Sequence, residues 1–173
     1  MDYNTILGPG ELPEINTIIE ISQGSTLKVE FNAELKLFEL DRVEPGIFVK
    51  PVNYGFIPGT LDEDGDALDT LVVTREPLPT GLYVKARVLG VLNFVDDGDN
   101  DHKIICVPAD DRNGGDDLRT LDDLGENWKK QIEHHFNHYK DLKKGGTEVL
   151  GFGTADDAAA VIADCIKRYQ ASK

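Results

Sequence analysis

Leu68-Asp69-Thr70-Leu71-Val72-Val73-Thr74 is an apolar run of seven residues with an acid near its start and turn-forming residues just before it. It is too short for a stable helix and reads as a strand. Runs of the same kind recur on both sides: Thr17–Ile21, Leu27–Phe31, Leu35–Leu40, Tyr83–Leu92 and Lys103–Val107. Gly24, Pro45-Gly46, Pro58-Gly59, Pro79-Thr80-Gly81 and Asp97-Gly98 punctuate them. Short strands at this spacing predict a closed or partly closed barrel rather than a parallel sheet. Beyond residue 120 the period changes. Leu121, Leu124, Trp128, Ile132, Phe136, Tyr139 and Leu142 follow steps of three and four, the stripe of an amphipathic helix. Gly145-Gly146 is the expected stop. A second helix is expected from Thr154, with Asp157 completing a capping box and Ala158, Val161, Ile162, Cys165, Ile166 and Tyr169 on its apolar face. The expected class is mainly β with α: a twisted β-barrel followed by two packing helices. With no internal repeat and no linker-like stretch, residues 1–173 read as one domain.

The composition limits the possible partners. Lysine plus arginine number 18 against 32 aspartates and glutamates, a formal charge of −14, which argues against general attraction to nucleic acid or an anionic membrane surface. No apolar run approaches the roughly 20 residues a membrane span needs. Met1-Asp2-Tyr3-Asn4 lacks the basic and apolar blocks of a signal peptide. Cys106 and Cys165 each lie among apolar residues and are expected to be buried thiols in a reducing cytosol.

The acids are not spread evenly. Asp62-Glu63-Asp64-Gly65-Asp66-Ala67-Leu68-Asp69 carries five carboxylates in eight residues and leads straight into the apolar strand. Asp96-Asp97-Gly98-Asp99-Asn100-Asp101 forms a second cluster between two predicted strands. Like charges this close raise one another's pKa unless a cation lies between them. All-oxygen ligands suit hard cations such as Mg²⁺, Mn²⁺ or Ca²⁺. Solvated hairpin tips would also carry aspartate and glycine, a reading with real weight for residues 97–100. It is weaker for Asp69, because an ionised carboxylate flanked by Leu68, Leu71 and Val72 is costly unless paired. A calcium loop of the EF-hand kind fails in both registers. Counted from Asp62, alanine and Val73 stand where glycine and glutamate are needed; counted from Asp97, His102 and Pro108 do.

Cations and further acids complete the inventory. Lys28 alternates with Glu30 and shares its strand face. Glu20 interrupts an otherwise apolar strand, Arg42 precedes a turn, Lys103 follows Asp101 by two residues, and Tyr139-Lys140 ends the first predicted helix. His134 and His138 are i, i+4 neighbours that could grip zinc, but no His-Glu-x-x-His pattern accompanies them. His135 is expected to face the core or a subunit contact.

With these residues in view, the chain resembles the soluble family I inorganic pyrophosphatases. Asp64-Gly65-Asp66-Ala67-Leu68-Asp69 matches the family's Asp-x-Asp-x-x-Asp signature. Pro51–Pro58, Gly90 through Lys103 and Phe136–Leu142 resemble the segments around it, and the likeness runs from about Gly8 to about Tyr169. The resemblance implies a five-stranded OB-like barrel flanked by two helices. It implies a Mg²⁺-dependent cytoplasmic hydrolase, with Mn²⁺ or other divalent ions as substitutes, that cleaves inorganic diphosphate into two phosphates and often assembles as a homohexamer. Carried over by position, Asp64, Asp69, Asp96 and Asp101 would ligate metal, and Glu20 and Glu30 would act mainly through metal-bound water. Lys28, Arg42, Lys103, Tyr139 and Lys140 would contact the phosphates. Tyr54 would support the site, and Asp66 would orient or deprotonate the attacking water. The implied chemistry accounts for both charge types: metal activates water and, with the cations, neutralises phosphate.

The chain also departs from the family pattern. Lys50 stands where the family usually has a tyrosine whose hydroxyl helps on the phosphate side; a lysine could still donate there, as a flexible point charge. Ala67 occupies a spacer position, and the 145–152 segment lacks a lysine and tryptophan common in the family. A non-catalytic phosphate-binding relative and a plain metal-buffering barrel are the rival readings. An oligonucleotide-binding barrel is disfavoured by the net charge and the lack of an aromatic row on the strands.

Overall fold

The computed structural model describes residues 3–143 and 145–173. The expectation about the first residues therefore falls partly on Met1 and Asp2, which lie outside the described residues. In chain order the elements are α1 (Tyr3–Ile6), β1 (Gly10–Glu11), β2 (Glu14–Ile21), β3 (Leu27–Asn32), β4 (Leu37–Val43), β5 (Asn53–Phe56), β6 (Asp69–Val72), β7 (Tyr83–Asp96), β8 (Asp99–Asn100), β9 (Lys103–Pro108), α2 (Glu126–His138), β10 (Thr147–Gly153) and α3 (Ala155–Ala171). Among the described residues no helix is long and apolar enough to cross a membrane.

Strand β7 organises the sheet. Its first half pairs with β2, its second half with β10 and β8, and it runs beside β9. The path β2-β5-β6-β9-β7, with β7 returning to β2, closes a ring of five strands. All pairs are antiparallel except β6 with β9. The hairpin β3–β4 stands apart as a separate two-stranded sheet. The fold is therefore mainly β, with the two expected packing helices and the short α1 in addition.

Alternation along the strands divides the apolar residues between two cores. Val72, Ile104 and Cys106 pack with Ala158, Ile162 and Cys165 of α3. Leu71, Ile105 and Val107 pack with Ile132 and Phe136 of α2. Full burial of each such aliphatic side chain stabilises by about 1.5–3 kcal/mol. Both cysteines are free and buried, as expected.

Several boundaries differ from the sequence reading, each for a local reason. The strand expected at Leu35–Leu40 begins at Leu37. Asn32 Oδ1 accepts from the backbone N–H groups of Glu34 and Leu35, and this side-chain turn reverses the chain first. The helix expected from Leu121 begins at Glu126. Leu121–Leu124 is a 3-10 turn, and Gly125, at φ 80° and ψ 157°, swings the chain before α2 starts. At the other end α2 stops at His138, well before Gly145-Gly146. Gly146 instead bonds to the second acidic segment, its N–H donating to the Asp97 side-chain Oδ1 at 2.8 Å and its carbonyl accepting from Asp97 N at 2.8 Å.

Four strands lie outside the sequence reading: the two-residue β1 and β8, and the longer β5 and β10. In β5, Gly55 dilutes the apolar pattern between two prolines; a Cβ there would lie 2.2 Å from the Ile18 carbonyl oxygen, so only glycine lets β2 and β5 pair. In β10, Gly151 marks a register shift against β7 and breaks the alternation.

Candidate active site

The site begins with strand register. Parallel pairing of β6 with β9 places Asp69 beside Lys103. Lys103 is 2% exposed, and its Nζ donates to Asp69 Oδ2 and to Asp101 Oδ1, both at 2.7 Å. One buried ammonium thus bridges the acid that opens β6 and the acid that precedes β9. Burial opposes its charge, but Asp69 and Asp101 hold it well above the usual lysine range. The Tyr54 hydroxyl, from neighbouring β5, also donates to Asp69.

The two acidic segments meet at other points. Asn100 Nδ2 donates to Glu63 at 2.8 Å, and His102 N donates to Asp62 Oδ2 at 3.2 Å. Asp62 is buried and ion-pairs with Arg168 of α3 at 3.6 Å. Sequence reading counted Asp62 among the five carboxylates of the first cluster; its structural role depends on contacts from two distant segments, which no local pattern reveals. The second segment divides by strand geometry. Asp96 and Asp101 turn inward, whereas Asp97 is exposed at the hairpin tip, so the solvated-tip reading holds only for the tip. Asp96 accepts from the Tyr139 hydroxyl at 2.8 Å and pairs with Lys140.

A cleft of about 610 Å³ lies between the β3–β4 hairpin and the ends of β6, β7 and β9. Asp64, Asp66, Asp69, Asp96 and Asp101 all reach it, as do Glu20, Glu30, Lys28, Tyr54, Lys103 and Tyr139. On the hairpin, Lys28 pairs with Glu30 on the same strand face and with Asp41 at 3.3 Å. Arg42 is the cross-strand neighbour of Lys28, and its Nε donates to buried Glu44 at 2.5 Å. Arg42 and Lys140 open onto a smaller adjoining cleft of about 190 Å³ that shares Lys28, Asp96 and Tyr139 with the main one. The structure therefore brings all the sequence-predicted site residues into two connected clefts, with Arg42 and Lys140 at the outer one.

The electrostatics are those of crowded carboxylates. Burial, followed by the charge of Asp69, pushes Glu20 up to about 8. Its Oε1 accepts from Phe31 N at 2.8 Å. Burial raises Asp64 to about 6, with Asp101, Asp66 and Asp62 adding to the effect. Asp66 is raised by burial and then by Glu30, and Asp101 by burial and then Asp69, against the pull of Lys103. Among the described residues no three carboxylates are drawn as close as a shared ion would hold them. Chain cations separate them instead: Lys103 lies between Asp69 and Asp101, and Lys140 lies on Asp96. The donor set is all oxygen, and its negative charge is only partly neutralised. Those are the properties of a site for a hard divalent cation.

Sequence reasoning treated Lys50 as a flexible point charge that could donate to phosphate and did not anticipate that it is a second buried cation. Lys50 is 8% exposed and lines the main cleft. His134, His135 and His138 lie elsewhere, lining a cleft with Ile47 and Phe48. The His134 and His138 rings are 4.4 Å apart, and His135 Nε2 is buried.

The comparisons agree with this geometry. The family model for inorganic pyrophosphatase matches residues 17–170. The chain is 58% identical over 171 residues to an inorganic pyrophosphatase of Neisseria meningitidis serogroup B, covering 97% of each chain. It is 55% identical over 171 residues to one of Haemophilus influenzae, again covering 97% of each. Among solved structures, an inorganic pyrophosphatase from Neisseria gonorrhoeae superposes with TM-score 0.96 at 57% identity, covering 98% of this chain and 99% of that one. One from Thermus thermophilus superposes with TM-score 0.91 at 36% identity, over 98% and 99% of the two chains.

Proposed function

The chain belongs to the inorganic pyrophosphatase family, and we propose that the cleft between the β3–β4 hairpin and the ends of β6, β7 and β9 is where it hydrolyses inorganic diphosphate to two phosphates. The observation that carries this assignment is the convergence of two acidic segments on one buried lysine, Lys103, in a cleft walled by further cations. Acids alone would suit a metal buffer, and cations alone a phosphate binder. Both together suit transfer of a phosphoryl group to water.

Asp64, Asp69, Asp96 and Asp101 are the residues to hold divalent metal, with Glu20 and Glu30 acting at its edge; Mg²⁺ is the proposed ion and Mn²⁺ a substitute. Such an ion supplies Lewis-acid neutralisation of phosphate charge and lowers the pKa of water. Lys28, Arg42, Lys103, Tyr139 and Lys140 contact the phosphates, each already oriented by a carboxylate or a packed ring. Tyr54 fixes Asp69. Asp66 orients the attacking water and accepts its proton, and the raised proton affinity that burial gives this carboxyl favours that role. The water oxygen bonds to one phosphorus as the bridging P–O bond breaks, and the leaving phosphate departs against the lysines.

We read residues 1–173 as one domain, which is supported by a family model spanning 17–170. A cytoplasmic setting and a homohexamer complete the reading. Exposed apolar side chains such as Val43 and Ile47 support assembly. The deciding experiment measures phosphate release from pyrophosphate with and without Mg²⁺, alongside Asp66→Asn and Asp69→Asn. Metal-dependent release that both variants abolish is the expected result. Release that both variants retain would remove this cleft as the site.

A further inference from the structure

Lys50 has an unusual setting. Its backbone is clamped to the loop before β3, Lys50 N donating to Ser25 O at 3.0 Å and Lys50 O accepting from Gly24 N at 2.9 Å. Its side chain runs into the cleft and places Nζ 5.2 Å from the centroids of both the Tyr54 and Tyr139 rings. Those rings are themselves fixed, because their hydroxyls donate to Asp69 and Asp96, one from each acidic segment. The sequence reading of Lys50 as a flexible point charge is therefore corrected: the ammonium is buried and held between two anchored aromatic faces.

Among the described residues this ammonium has no ion-pair partner of its own. Glu44 and Asp69 are the acids that attract it most. Glu44, however, is engaged by Arg42 at 2.5 Å, and Asp69 by Lys103 at 2.7 Å. Lys103 and Lys28 repel it. Cation–π contact offsets part of the desolvation cost, but an ammonium buried without an ion pair remains expensive. Such a cost is compensated when an anion enters the same space.

We propose that Lys50 is a substrate-binding residue whose ammonium, pre-positioned between Tyr54 and Tyr139, supplies a fixed positive charge to pyrophosphate in the cleft. This rests on the assignment of the cleft as the pyrophosphate site. It places a cation at a position from which a neutral hydroxyl would make a weaker contact with phosphate. Because backbone and rings hold the group in place, little side-chain freedom is lost when the anion arrives.

The test compares the wild type with Lys50→Met and Lys50→Arg at saturating Mg²⁺. It reads KM for pyrophosphate, Kd for the non-hydrolysable imidodiphosphate, and the thermal midpoint. Lys50→Met raises KM and Kd at least about tenfold, the loss of one charge-assisted contact, while its thermal midpoint holds or rises. Lys50→Arg recovers part of the binding, and kcat/KM falls less steeply with added salt in Lys50→Met than in the wild type. If Lys50→Met stays within twofold of the wild type in KM and Kd while Lys28→Met weakens both, the inference is overturned and the cleft assignment survives. If Lys28→Met also leaves both unchanged, the cleft assignment itself fails. A lowered midpoint with unchanged Kd would make Lys50 a structural support and overturn the inference as well.

Discussion

Asp69 and Lys103 are register partners on adjacent parallel strands, 34 positions apart in sequence and 2.7 Å apart between Oδ2 and Nζ. This pair lies at the middle of the site, since Lys103 also holds Asp101 and Asp69 also accepts from Tyr54. The Lys103 ammonium thus supplies, between two carboxylates, part of the positive charge that a divalent cation would bring.

Lys103→Met leaves both carboxylates without that cation. Breaking a buried ion pair by removing one partner costs about 3–5 kcal/mol. Urea titration of the metal-free variant is expected to show a loss of that order. Added Mg²⁺ is expected to recover more stability in the variant than in the wild type, because an ion relieves the exposed repulsion. Equal metal-induced gains in the two proteins would contradict the proposed metal position.

Asp66→Asn keeps the side-chain shape and removes the proton acceptor. Phosphate release is expected to fall by about 10²- to 10⁴-fold, the usual contribution of a positioned acid–base group. Asp99→Asn, at the exposed end of the second acidic segment, is the control and is expected to keep wild-type turnover. Steady-state assays of the two variants side by side check this, and comparable losses in both would argue against a specific role for Asp66.

Glu20 makes the stability of the metal-free chain depend on pH. Its folded-state pKa of about 8 lies above the unfolded value of 4.5, because burial and then Asp69 disfavour the charged form. The folded state therefore binds the proton more tightly, and stability is lost as pH rises from about 4.5 through 8. Glu20→Gln still accepts from Phe31 N and removes the titration. Urea midpoints of the wild type are expected to fall between pH 5 and 8.5, and those of Glu20→Gln to fall less. Parallel curves would place the titration elsewhere.

Asp62→Ala tests a residue outside the cleft. Its carboxylate accepts from His102 N at 3.2 Å and pairs with Arg168 at 3.6 Å, joining the first acidic loop to the second and to α3. Removal deprives the partly buried His102 N–H and the Arg168 guanidinium of an acceptor, at a cost of about 1 kcal/mol or more. The loop that carries Asp64 and Asp66 also loses its anchor. A lower thermal midpoint and a higher Mg²⁺ requirement are expected together. A lower midpoint with an unchanged metal requirement would limit Asp62 to stability.

Much of this was legible along the chain because the relevant forces are local. Thr154 and Asp157 form the expected capping box, and the apolar stripe of α3 packs on the sheet. An aspartate inside an apolar strand needs a partner wherever the chain goes, so Asp69 stood out before any fold was known. Where the local pattern was diluted, the reading failed. Gly55 and Gly151 hid β5 and β10, and Gly125 split what looked like one helix.

Local chemistry alone therefore determined which side chains were too charged or too apolar for their neighbours, and so where strands, helices and acidic loops lie. Which of those charges share a space was decided by the closed ring of strands. Parallel pairing of β6 with β9 chose Lys103 as the partner of Asp69, the return of the chain through α3 buried Asp62, and the approach of Tyr54 and Tyr139 fixed Lys50. The physical reason is range. Propensity and periodicity act over a few residues, whereas burial of a charge and the identity of its counter-ion depend on every segment that reaches the same few ångströms.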